Sequence, residues 1–204
     1  MEKLFQNNFS IDMSKQRSLP TKKFASEKAW QTWLVENYNK SNGVWLMFAK
    51  KNADKQTVTY AEALNAALCH GWIDGQKKSH DEQYWMQKFV PRQAKSIWSK
   101  RNIEHTERLI KEGEMQPAGL KAIEAAKANG TWEKAYDAQS KMTIPEDFLK
   151  ALRKNKKANA FFKTLNRTNL FSIAFRLQTA KKEETRQKRI AKIIEMLERE
   201  EKFH

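Results

Sequence analysis

The chain has a single cysteine, no apolar run approaching membrane-spanning length, and too few acidic side chains to balance its basic ones. One thiol excludes an intramolecular disulfide framework and suits a reducing compartment. The first ten residues, MEKLFQNNFS, lack the uninterrupted apolar stretch of a secretory signal, and no transmembrane segment is expected, so the sequence reads as a cytoplasmic protein. None of the four histidines stands at zinc or iron spacing. The stretch 71-GWIDG-75 lacks the spacing and the lysine of a phosphate loop, and no nucleophile elbow or acid–base carboxylate pair is recognisable. No catalytic residue, metal or cofactor is nominated.

What is present belongs to a folded chain. Of 204 residues 40% are hydrophobic and seven are tryptophan, enough to bury a core in one domain or in a domain with an appendage. The net charge is +15, from 39 basic and 24 acidic side chains. Such a field attracts nucleic acid, anionic lipid or an acidic partner, and equally keeps a protein in solution, so the distribution matters more than the sum. Two segments are basic without an acidic residue, 86–102 and 150–167. They supply a candidate basic patch of Lys88, Lys95, Lys100, Arg101, Lys154, Lys156 and Lys157. Residues 181–202 instead mix both signs at helical spacing, Glu184 with Lys188 and Glu195 with Arg199, as on a solvated helix face.

Residues 1–25 show no sustained period and read as an extended or loosely docked arm. Ser26 opens a helix with Trp30, Trp33, Leu34 and Tyr38 on one face. The run 44-VWLMFA-49, apolar on both faces, predicts a central strand with Trp45 and Leu46 both buried under helices. Thr59 and Glu62 form a capping box, Gly71 ends the helix that follows, and 72–78 and 84–90 pair as a hairpin stopped by Pro91. Ser96 or Ser99 caps a helix reaching Ile110, and Pro117 starts another that runs to Gly130. This is an α+β pattern over 26–140, helices around a small, mostly antiparallel sheet. From 141 to 204 the chain reads as an all-helical module, opened by 143-TIPE-146 and closed by one long helix carrying Phe171, Phe175, Ile190, Ile193, Ile194 and Leu197. It buries its apolar stripe within itself or against the first domain.

Within 67-ALCHGWIDGQKK-78, Cys69 and His70 are adjacent at a helix end, so their side chains diverge by about 100° and cannot clamp one ion. A catalytic thiol would need a histidine from elsewhere, such as His105; the simpler reading is a buried structural thiol. Asp74 lies on the strand whose partner leads into Arg92, with Ser96, Trp98 and Asn102 following at a helix start. Together with Trp72 they form a candidate ligand-binding corner, a fork of donors beside orphan backbone N–H groups suited to an anion. The alternative is a structural ion pair and a helix cap. Trp72, Trp85 and Trp98 serve either as stacking surfaces or as core, and their exposure decides which.

The segments 67-ALCHGWIDG-75, 89-FVPRQAKSIWSKRN-102, 113-GEMQPAGL-120 and 180-AKKEETRQKRI-190 resemble the YdeI/OmpD-associated family, also called bacteriocin-protection proteins. The resemblance implies a non-enzymatic stress or envelope-protection factor, linked to resistance against bacteriocins or cationic antimicrobial peptides, that binds an anionic ligand or a protein partner. Charge supports a nucleic-acid-binding module as the alternative, and a small-molecule enzyme using the Asp74 and Arg92 corner is the third.

Overall fold

A computed structural model of the chain describes residues 19–137 and 142–203. They divide into two compact units. The first takes the described residues up to Arg92 together with Gln116–Gly119, and the second takes Gln93–Met115 and the chain from Leu120 onward.

In the first unit the elements run β1 (Thr21–Lys22), α1 (Glu27–Asn37), β2 (Val44–Ala49), α2 (Tyr60–Cys69), β3 (Trp72–Ser79) and β4 (Tyr84–Pro91). They form a four-stranded sheet of order β1-β2-β4-β3, antiparallel except for the β1–β2 pair. β1 falls within the stretch expected to be an arm, because its backbone completes the edge of β2 and the following Phe24 ring packs on Trp30 and Trp33. Residues 1–18 of that stretch lie outside the described residues.

Short-range signals build the helices. Ser26 accepts from the Ala29 N–H at 3.3 Å, and Thr59 and Glu62 close a complete capping box. α2 stops at Cys69, and Gly71 follows with φ +72°, a left-handed turn that favours glycine.

β2 is central, but its two faces differ. Val44, Leu46 and Phe48 are buried, whereas Trp45, Met47 and Ala49 are half-buried. The expectation that both Trp45 and Leu46 lie buried under helices holds for Leu46 and is corrected for Trp45, because α1 and α2 both pack on the Leu46 side. There Trp30 meets Phe89 and Trp72, its Nε1 donates to Ala63 O at 3.1 Å, and Tyr60 meets Phe48. Direct pairing puts Phe89, Gln87 and Trp85 on this covered face and Lys88, Met86 and Tyr84 on the other.

The second unit holds α3 (Lys100–Lys111), the part of α4 (Pro117–Ala128) from Leu120, α5 (Glu146–Leu152), α6 (Lys156–Phe162), α7 (Arg167–Gln178) and α8 (Glu183–Glu198). Ser99 caps α3 by accepting from the Asn102 N–H at 3.1 Å. One cluster gathers Trp98, Ile123, Ala126 and Ala135; a second gathers Phe148, Leu152, Ala158, Ile173, Leu177, Ile190, Ile193 and Leu197. The C-terminal helices therefore bury their stripe among themselves, each large side chain contributing about 1.5–3 kcal/mol.

Two local expectations are corrected. The segment 143-TIPE-146 forms no capping box: α5 begins at Glu146 behind Pro145, with no side-chain cap. The residue before a proline is driven out of the helical region, so Ile144 cannot serve as a first helical residue after Thr143. The single long last helix is two, α7 and α8, separated at 179–182.

Candidate functional site

The break between α7 and α8 is built by arginines from 180-AKKEETRQKRI-190. Helix ends leave carbonyls without intrahelical donors. Arg186 donates from NH1 to Leu177 O at 2.7 Å, and Arg189 donates to Arg176 O, while the Thr179 hydroxyl donates to Phe175 O at 2.7 Å. The other side of the Arg186 guanidinium grips Asp147 in a bidentate pair, both bonds 2.7 Å, tying α8 to the first turn of α5. Those bonds hold the Asp147 carboxyl below the usual aspartate range and raise the guanidinium pKa. Periodicity did not reveal this role, since a guanidinium that caps a neighbouring helix looks like any other surface charge in sequence.

Arg176 and Arg189 themselves line a cavity of about 470 Å³ in this unit. Neither forms an ion pair with a carboxylate among the described residues.

In the first unit the β3–β4 hairpin sets lysines against aromatic rings on both faces. The Lys77 ammonium lies 4.2 Å from the Trp85 ring centroid and that of Lys78 lies 4.1 Å from Trp45, both half-buried tryptophans. Consecutive strand residues point to opposite sides, so one dipeptide places a cation over an indole on each face. Lys23 sits 4.8 Å from the Tyr84 centroid and Lys22 5.8 Å from Trp33. None of these four lysines is ion-paired among the described residues.

The corner nominated from sequence is distributed over both units. Asp74, Arg92 and Trp72 belong to the first and Ser96, Trp98 and Asn102 to the second. Asp74 faces the covered side of the sheet, where its Oδ2 accepts from the Tyr60 hydroxyl at 2.8 Å and from Gln87 Nε2 at 3.4 Å. Arg92 is half-buried, and its N–H donates to Gly71 O at 2.9 Å. Ser96 Oγ accepts from the Gln93 N–H at 3.0 Å within a tight turn, leaving the helix cap to Ser99, and Asn102 is half-buried in the first turn of α3. Exposure settles the tryptophans. Trp72 and Trp98 are 1% and 2% exposed and serve as core, the former with Nε1 donating to Tyr38 O at 3.0 Å, so neither offers a stacking face.

The candidate basic patch is likewise spread. Lys88 is half-buried on β4 of the first unit, whereas Lys95, Lys100, Arg101, Lys154, Lys156 and Lys157 are exposed in the second. Lys100 is 2.7 Å from Asp137. Cys69 is buried, and His70 Nδ1 lies 2.9 Å from Ala66 O within the same helix end. His105 on α3 has its pKa lowered by burial and by Arg101 and Arg108. Among the described residues no cluster of three His, Cys, Asp or Glu side chains could hold a metal, and no helix is long and apolar enough to cross a membrane.

Two family models match the chain. Residues 141–200 match the family described as Bacteriocin-protection, YdeI or OmpD-Associated, and residues 22–122 match a Domain of unknown function (DUF8412). The resemblance read from sequence thus holds for the C-terminal module. Of the four segments that suggested it only 180–190 lies inside that match, while 67–75, 89–102 and 113–120 fall in the other domain. No curated protein and no solved structure matches.

Proposed function

From the premise that residues 141–200 form a YdeI/OmpD-associated module, we propose that the protein is a non-enzymatic stress or envelope-protection factor that works by binding an anionic ligand or an acidic protein partner. The observation that carries this reading is the β3–β4 hairpin, where Lys77 and Lys78 lie over Trp85 and Trp45 without a carboxylate partner among the described residues. A cation resting on an indole face keeps its charge and is partly desolvated, so an incoming anion meets a preorganised donor. The net charge of +15 would speed encounter with any polyanion.

A nucleic-acid ligand is the second reading, favoured by Trp45, Tyr84 and Lys88 on one sheet face, since single-stranded nucleic acid is held by rings interleaved with cations. The two readings separate in one experiment. Intrinsic tryptophan fluorescence is followed while polyglutamate or an oligothymidylate is titrated at rising salt, for the native protein and for Lys77→Glu/Lys78→Glu. Binding of either polymer that the double variant weakens more than tenfold supports the hairpin as the site; preference for the oligonucleotide, with a salt slope falling by about two in the variant, selects nucleic acid. Failure of both polymers to bind at low salt, or binding indifferent to the variant, overturns the reading.

A further inference from the structure

The second unit contains a cavity that the hairpin reading does not use. Its volume is about 470 Å³, inside the range of about 300–1,000 Å³ typical of small-ligand sites. Phe175, Ile193, Met196 and Phe203 give it an apolar wall. Arg176, Arg189 and Lys192 supply its charge.

The arginines are held in place before any ligand arrives. Arg176 donates from NH1 to Ser172 O at 3.1 Å, and its guanidinium carbon lies 3.9 Å from the Phe203 ring centroid. Phe203 is positioned in turn by its N–H, which donates to the buried Asn169 Oδ1 at 3.1 Å. Arg189 spends NH1 on Arg176 O and, at 3.4 Å, on Thr179 Oγ1. Each guanidinium has five N–H donors, so these bonds orient the forks and leave donors over. Lys192 stands at the rim, 62% exposed, with Glu195 at 3.1 Å.

Two half-buried guanidiniums facing one cavity repel each other, and the carbonyl end of α7 offsets that only in part. An oxyanion between them would take the free donors in charge-assisted bonds, and an apolar body attached to it would cover Phe175 and Met196. We propose that this cavity binds an anionic amphiphile, a phosphate or carboxylate head carried on a short acyl or aromatic body, with Arg176 and Arg189 as the head-group ligands.

Isothermal titration of the full chain with octyl phosphate, inorganic phosphate and 1-octanol tests this. Octyl phosphate should bind at least tenfold more tightly than either control. Arg176→Met, which keeps a long apolar stem against Phe203, should weaken it at least tenfold, and Lys192→Gln, at an exposed position that leaves the fold intact, severalfold. Lys77→Glu/Lys78→Glu should leave octyl phosphate binding unchanged even if it abolishes polymer binding, so the two proposals fail separately. Co-sedimentation with phosphatidic acid vesicles, lost in Arg176→Met, would identify a bilayer as the source of the head group; monomer binding without sedimentation would identify a free ligand. Either supports the site. Octyl phosphate binding no better than inorganic phosphate, or unaffected by both Arg176→Met and Lys192→Gln, overturns it.

Discussion

Removing the Arg186 guanidinium should loosen the C-terminal module at a joint and not merely delete a surface charge. Arg186→Met strips two bonds from Asp147 and one from the Leu177 carbonyl while keeping the apolar stem. A hydrogen bond to a charged group is worth about 1.5–3 kcal/mol, but the Asp147 side chain is 42% exposed against 20% for Arg186, and solvent screening brings the pair down to about 1–2 kcal/mol. Leu177 O keeps the Ala180 N–H as a donor at 3.3 Å, so losing the Arg186 bond there adds only about 0.5 kcal/mol. Arg186→Met should cost about 1.5–2.5 kcal/mol and Asp147→Asn about 1–2 kcal/mol. The double variant should cost no more than Arg186→Met alone, since the shared bonds are lost once. Urea unfolding gives these values from the midpoints, provided the slopes agree.

The pH dependence supplies a second measurement. The folded pKa of Asp147 is depressed, chiefly by the Arg186 hydrogen bonds, so its stabilisation is complete above the ordinary aspartate value of about 4 and is lost as pH falls through the lower folded value. The native protein should therefore lose more stability than Arg186→Met on acidification below about pH 4. A coupling energy below about 0.3 kcal/mol, or identical acid sensitivity in the two proteins, would refute the reasoning.

Thr59→Ala should cost about 1 kcal/mol in thermal unfolding, because the Thr59 hydroxyl accepts from the Glu62 N–H at 3.3 Å and donates to Glu62 Oε2 at 2.8 Å, and only the backbone Thr59 N–H bond to that carboxylate survives. Serine at the same position should restore most of it. Gly43→Ala should be worse than an ordinary glycine replacement: φ is +138°, and the new methyl would stand 2.9 Å from Phe89 O and 2.7 Å from Val90 Cγ1. The backbone oxygen cannot swing aside, so about 2–3 kcal/mol is expected, and a thermal midpoint within a degree of native would show that β4 yields more easily than its pairing implies.

The signals that were legible in the sequence act over three or four residues. Ser26, the Thr59 and Glu62 box, Ser99 and Gly71 each satisfy or end a helix using only their immediate neighbours, so their meaning survives without knowledge of the fold. The periodic apolar residues of 148–197 likewise determined that a helical module would bury a stripe, but that the helices bury it among themselves was decided by the tertiary structure. Even at short range one signal failed, where Pro145 vetoed the Thr143 cap. The break between α7 and α8 was illegible because Arg186 and Arg189 reach carbonyls 9 and 13 residues back, and Arg186 meets Asp147 at a separation of 39.

The same division governs the candidate sites. Composition determined that cations would exceed carboxylates; tertiary structure decided which would be neutralised, pairing Lys100 with Asp137 and Arg186 with Asp147 and leaving Lys77, Lys78, Arg176 and Arg189 without a carboxylate among the described residues. It also sorted the tryptophans, burying Trp72 and Trp98 and leaving Trp45 and Trp85 accessible to lysines. Charge and aromaticity are properties of a residue, but an ion pair or a stacked ring needs two groups within a few ångströms, and only the folded backbone sets that distance.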